Sequence, residues 1–144
     1  MAGTILLVED SLEAVELTRH ALEECTLTDN AIIVAYDGQD AVDYLFGAGR
    51  YEGRDTADLP KVVLLDLRLP KLDGFEVLAK IRSSSRTRLV PVVMLTVSKL
   101  REDIRRSYEL GANGYIIKAL DYDAYHDAII AACAYWLGIN QGPY

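Results

Sequence analysis

The sequence predicts an α/β domain, (βα)5 in order, with one five-stranded parallel sheet doubly wound by helices on both faces. Three observations carry that expectation. Short apolar runs recur at 5–8, 32–35, 62–65, 92–95 and 114–117, as strands covered on both faces require. Segments with helical spacing lie between them. The 144 residues, 51% of them hydrophobic, suffice for one core, because a chain of about 150 residues buries roughly 70% of its unfolded surface.

The first run, Ile5-Leu6-Leu7-Val8, stops at Glu9-Asp10-Ser11, and a helix opens there with Ala14, Val15, Leu17, Ala21, Leu22 and Cys25 on one face. After the second run, Ala41, Val42, Leu45 and Phe46 form the next stripe. A long polar connection, 47–60, then precedes the third run, and loops of that length tend to be functional or mobile. Phe75, Leu78 and Ile81 mark a third helix, Ile104 with Tyr108 a weaker fourth. Tyr122, Tyr125, Ile129, Cys133 and Trp136 mark a long fifth. The expected core spans about 4–137 of a single domain, 1–144, with a C-terminal extension at 138–144, and the end of the chain, 136–144, is unusually apolar.

Composition excludes several classes. With 15 Lys+Arg against 22 Asp+Glu the net charge is −7, which argues against nucleic-acid binding. No apolar run approaches the ~20 residues that span a bilayer. No basic N-terminal stretch suggests a signal peptide, and Met1-Ala2-Gly3 does not fit myristoylation. The expectation is a cytoplasmic protein with no nucleic-acid or membrane partner. Cys25 and Cys133 make no disulfide framework and read as core.

In open α/β sheets, ligands bind at the carboxyl ends of the strands. There the first strand delivers Glu9-Asp10, the third Asp66, the fourth Thr96 and the fifth Lys118. Each has a simpler reading. Asp10 could cap the first helix with Glu13 completing a capping box, Thr96 could cap a turn, and Glu9 and Lys118 could be solvated. Together those readings weaken. Asp66 follows four apolar residues and would sit beside two other acids, whose like charges need a cation. Lys118 supplies one positive charge, and a divalent metal suits carboxylate and carbonyl ligands, Mg²⁺ above all. In Asp66-Leu67-Arg68-Leu69-Pro70-Lys71-Leu72-Asp73-Gly74, Pro70 stiffens the loop and Asp73-Gly74 reads as a turn and nothing more.

Absent motifs narrow the reading. No glycine-rich loop follows the first strand, so dinucleotide fingerprint and P-loop are missing. Arg68 stands where a haloacid-dehalogenase-type phosphatase has a second aspartate. His20 and His126, on helices away from the strand ends, read as surface residues.

Glu9-Asp10, Asp66 with its Leu-Pro-Lys-Leu-Asp-Gly run, Thr96 and Lys118 together resemble the receiver domain of two-component response regulators, with its flavodoxin/CheY-like fold. The resemblance covers essentially the whole chain. The loop after the second helix and the Tyr135-Trp136-Leu137 ending look like the small stand-alone regulators paired with phytochrome histidine kinases.

The resemblance implies that Asp66 is a phosphoacceptor for a sensor histidine kinase. Glu9 (through water), Asp10, Asp66 and the main-chain carbonyl of Arg68 would hold Mg²⁺, with Mn²⁺ or Ca²⁺ able to substitute. Lys118 would neutralise phosphoryl oxygens, Thr96 would bond the aspartyl phosphate, and Tyr115 would turn inward as the aromatic switch. Two positions depart from the family. Ala119 follows Lys118 where the family has a cis proline. A cis bond before a non-proline residue costs about 2.5–4 kcal/mol, so a trans bond is expected. Val97 stands where the family places a small residue, and its bulk is expected to narrow access.

With little chain after the fifth helix, output is expected through protein contact rather than through an enzyme activity on a separate substrate. Homodimerisation is expected through the fourth-to-fifth-helix face or exchanged C-terminal arms carrying Trp136, Leu137, Ile139 and Tyr144. The opposing reading folds that extension over its own domain. Two other functions compete: a degenerate receiver acting as a phosphorylation-independent scaffold, and a metal-dependent phosphohydrolase using Asp66.

Overall fold

The structure, a computed structural model, describes residues 3–25 and 30–144. Five strands, β1 (Gly3–Val8), β2 (Asn30–Ala35), β3 (Val62–Leu65), β4 (Val92–Thr96) and β5 (Gly114–Ile117), form one sheet in the order β2-β1-β3-β4-β5. Every pairing is parallel. Five helices alternate with them: α1 (Leu12–Cys25), α2 (Gly38–Phe46), α3 (Gly74–Ser83), α4 (Arg101–Glu109) and α5 (Tyr122–Cys133). The order reverses direction between β1 and β3, and that switch point is where such sheets open a crevice.

The sheet divides two cores. Leu6, Val8, Val63, Leu65 and Met94 face one side with Leu45 of α2 and Phe75, Leu78 and Ile81 of α3. Ile5, Leu7, Val62, Leu64, Val93 and Leu95 face the other with Val15 and Leu22 of α1 and Ile129 of α5. Alternate residues of one strand thus serve opposite cores, as the period-two geometry of a strand dictates. β3 and β4 are buried throughout, whereas β5, at the sheet edge, is only partly covered.

Several expectations need correction. The inward face of α4 is Asp103 and Ser107, not Ile104 and Tyr108: Ile104 is half-buried and Tyr108 is exposed. Ser107 donates to the Asp103 carbonyl, so polar groups can face inward because they are satisfied. Tyr122 of α5 is also exposed. The connection at 47–60 is tied down rather than loose. Gly47 ends α2 in the left-handed region at φ 67°, and Arg50 forms a two-point ion pair with Asp40. Arg54 donates to the Tyr44 carbonyl and stacks 4.0 Å over the Tyr44 ring.

Cys25 and Cys133 are not separate core thiols. Parallel packing of α1 on α5 brings their Cα atoms to 6.4 Å, and the structure joins them as a disulfide. In a reducing compartment such a pair stands as two thiols.

The fifth helix passes at Ala134–Ile139 into a wider π-helical stretch. Trp136 and Leu137 pack on the α1/α5 core of their own domain, so the fold-back reading holds for these two. Ile139 and Tyr144 stay exposed, although the Tyr144 hydroxyl donates to the Arg86 carbonyl.

Candidate functional site

Backbone hydrogen bonds carry the parallel ladder one residue past the strand ends. Glu9 N–H donates to Ala35 O at 3.0 Å, Asp66 N–H to Val8 O at 3.1 Å and Lys118 N–H to Thr96 O at 2.7 Å. That extension aligns Glu9, Asp66 and Lys118 at one edge of the sheet. Glu9 is 2% and Asp66 7% exposed, while Asp10 is open to solvent. Carboxylate oxygens of Glu9, Asp10 and Asp66 all lie within 4.8 Å of one another.

Lys118 reaches into this cluster. Its Nζ donates to Asp66 Oδ2 at 3.1 Å and to Glu9 Oε1. The bond to Ala119 is trans, as are all peptide bonds among the described residues, and the ammonium still reaches both acids. Burial favours a neutral lysine, but the Glu9 hydrogen bond and the charges of Asp66 and Glu9 outweigh it and raise the Lys118 pKa. Burial pushes the Glu9 carboxyl up, and the Asp66 charge adds to it against the pull of Lys118. The cluster therefore holds more negative charge than Lys118 alone balances. Its oxygen-only donors fit a hard divalent cation.

Asp10 does not cap α1. Ser11 does so, its Oγ accepting from Ala14 N–H at 3.3 Å, and Glu9 Oε2 accepts from Ser11 N–H. This leaves the Asp10 carboxylate available at the cluster. Thr96 is wholly buried, and its Oγ1 accepts from Ser98 N–H at 3.4 Å. The Tyr115 ring already packs against the α2/α3 core, with its hydroxyl donating to the Ser98 carbonyl at 3.0 Å. Thr96 and Tyr115 thus grip the same residue from two sides. Val97 beside them is 61% exposed.

Three contributors went unread in the sequence. Asp73 is the N-cap of α3 in a full capping box with Glu76, not part of an isolated turn. Gly74 then brings α3 so close that a Cβ there would lie 2.2 Å from the Asp66 carbonyl oxygen. The Asp-x-x-Glu spacing was the available signal for the box. Ser98 and Asp103 form the third contribution, with Ser98 Oγ 2.6 Å from Asp103 Oδ2; nothing in their spacing announces it.

The response regulator receiver domain family matches residues 5–130. The chain belongs to that family. A receiver of this kind is a signalling domain of two-component systems. Among relatives, a probable methanogenesis regulatory protein, FilR2, of Methanothrix harundinacea is 43% identical over 96% of this chain and 86% of its own. Response regulator Rcp1 of Synechocystis is 38% identical over 92% and 88%. The crystal structure of phosphorylated RcpA, a cyanobacterial phytochrome response regulator, superposes with a TM-score of 0.92 at 33% identity, covering both chains fully. The Mn²⁺-bound form of Rcp1 gives 0.90 at 35%, over 99% of each. The flavodoxin/CheY-like receiver fold and its phytochrome-associated relatives agree with the expectation from sequence.

Proposed function

We propose that this receiver takes a phosphoryl group onto Asp66 from the phosphohistidine of a sensor histidine kinase. The observation that carries the reading is the meeting of Lys118 with Asp66 and Glu9 at the strand ends, beside a third carboxylate. A carboxylate oxygen of Asp66 attacks phosphorus, and the phosphorus–nitrogen bond breaks as its electron pair returns to the imidazole. Glu9, Asp10, Asp66 and the main-chain carbonyl of Arg68 would hold Mg²⁺, and the Mn²⁺ in Rcp1 supports a divalent ion here. When bound, the cation supplies positive charge to phosphoryl oxygens whose charge spreads in a loose transition state. Lys118 would supply positive charge to those oxygens as well.

Once the phosphoryl group is present, Thr96 turns its hydroxyl from Ser98 N–H to donate to a phosphoryl oxygen. Tyr115, whose ring already packs against the core rather than having to turn inward, is coupled to that change through Ser98, which both residues hold. Catalysis is confined to the domain itself, its own phosphorylation and dephosphorylation, in the cytoplasm. The phytochrome link of RcpA supports a phytochrome kinase as the donor. Output runs through protein contact, and exposed Leu100, Ile117, Leu120 and Tyr122 favour a homodimer through α4, β5 and α5, with Ile139 and Tyr144 as further contacts.

Incubation with Mg²⁺ and acetyl phosphate, read by intact mass, tests this. One labile phosphoryl adduct is expected, lost in Asp66→Asn and with chelator. No adduct, from acetyl phosphate or a kinase, together with no divalent-ion binding would overturn it in favour of a scaffold.

A further inference from the structure

A second group of metal-ligating side chains lies outside the acidic cluster and shares no residue with it. His20 and Glu24 stand one turn apart on α1, and His126 faces them from α5. One ligand atom from each lies within 4.8 Å of the others. His126 Nε2 is 2.5 Å from Glu24 Oε2, and His20 Nε2 is 3.4 Å from Glu24 Oε1. Ligands at about 2.0–2.2 Å from a tetrahedral ion stand roughly 3.3–3.6 Å apart, so small rotamer changes bring all three onto one centre.

The surroundings hold the two helices in place. Above the cluster, Thr18 of α1 hydrogen-bonds Tyr125 of α5, both buried. Below it, Cys25 of α1 lies against Cys133 of α5, Cα to Cα 6.4 Å, whether joined or as two packed thiols. The three ligands therefore sit between two packed contacts of one helix–helix seam, and binding has little backbone ordering to supply. His126 is 19% exposed, its far nitrogen turned toward the Asp127 carboxylate at 4.0 Å, whereas His20 and Glu24 stand about half open. That openness leaves a fourth coordination position for water.

The donor chemistry differs from that of the acidic cluster. Two imidazoles and one carboxylate suit a borderline ion such as Zn²⁺, while oxygen-only donors suit Mg²⁺. We infer that His20, Glu24 and His126 form a Zn²⁺-class site that clamps α1 to α5, separate from the Asp66 cluster. Two neutral imidazoles and one carboxylate bring a single negative charge, so the bound ion leaves one positive charge on an otherwise acidic protein.

The test is calorimetric titration of Zn²⁺ into oxidised protein held in excess Mg²⁺, so that the acidic cluster is occupied and the thiols are not available. One saturable equivalent is expected. Affinity should fall at least tenfold in His126→Ala and in His20→Ala, and remain in Asp66→Asn. Zn²⁺ should also raise the melting temperature of the parent protein but not of the histidine variants. If a variant fails to fold, Co²⁺ in the parent protein decides: a nitrogen and oxygen spectrum without a thiolate band supports the site. Absence of saturable binding, binding that survives both histidine substitutions, or a thiolate spectrum would overturn it.

Discussion

The guanidinium of Arg68 lies 3.2 Å from the carboxylate of Asp103, joining the loop after β3 to the inner face of α4. The same Asp103 Oδ2 accepts from Ser98 Oγ at 2.6 Å, and Ser98 is the residue that Thr96 and Tyr115 hold. One carboxylate therefore connects the residue two beyond Asp66 with the loop between β4 and α4. The two links differ in strength. Arg68 is 63% exposed, so its pair should contribute only about 0.2–1 kcal/mol. The Ser98 bond is better shielded and charge-assisted, of the class worth about 1.5–3 kcal/mol. Ser98→Ala should therefore destabilise more than Arg68→Ala in urea denaturation. Ser98→Ala should also speed hydrogen exchange in α4, and equal effects of the two variants would contradict this ranking.

Gly74 gives a test of how tightly the Asp66 loop is built. A methyl group there meets backbone, the Asp66 carbonyl oxygen at 2.2 Å and Leu67 Cα at 2.8 Å, and no flexible side chain can yield. Gly74→Ala should cost about 1–3 kcal/mol through overpacking and slow Asp66 phosphorylation, because the strain falls on the acceptor's own backbone. Unchanged rate and stability would mean that the close approach is relaxed in solution.

Removing Lys118 leaves Glu9 and Asp66 without their cation. Breaking one partner of a buried ion pair costs about 3–5 kcal/mol. Lys118 has a raised pKa, so its contribution is fully present below the ordinary lysine value of 10.5 and is lost as pH rises through the higher folded value. At neutral pH the whole deficit should appear in Lys118→Ala. It should shrink in acid, because burial already favours the protonated form of Glu9, and it should shrink when Mg²⁺ is added. Thermal melts at neutral and mildly acidic pH, with and without Mg²⁺, check this. A deficit indifferent to both would remove the electrostatic explanation.

The strand-end residues were legible because buried parallel strands write themselves as apolar runs, and the residue that ends each run has one place to go. Glu9, Asp66, Thr96 and Lys118 follow from that alone. α4 misled because its inner face is Asp103 and Ser107, whose burial depends on partners that periodicity cannot see. His20 and His126 read as surface residues because their meeting is set by the packing of α1 on α5, more than a hundred residues apart in sequence. Cys25 and Cys133 escaped for the same reason. Trp136 and Leu137 carry apolar character, and only the fold decides whether it covers their own domain or another.

Val97 tests whether bulk beside Thr96 limits access to Asp66. Its side chain is 61% exposed beside the buried Thr96, and a smaller residue should open the approach to Asp66. Val97→Ala should shorten the aspartyl-phosphate lifetime, followed by intact mass after donor removal, with little change in stability. An unchanged lifetime removes Val97 from the list of access determinants.

The Thr18–Tyr125 hydrogen bond buries two hydroxyls between α1 and α5. Tyr125→Phe strands the Thr18 hydroxyl, at a cost of about 1–3 kcal/mol. Adding Thr18→Val should recover most of that loss, since removing both polar partners is close to neutral. Burial raises the Tyr125 phenol above its ordinary value of 10.0, so the native state favours the protonated form. Its contribution is complete below that ordinary value and fades as pH rises through the higher folded one. The gap between the parent protein and Tyr125→Phe should be constant from neutral pH to about 9 and narrow above the ordinary phenol range. Urea denaturation across that range measures it, and a gap that widens in alkali would mean the phenol ionises more easily in the folded protein than outside it.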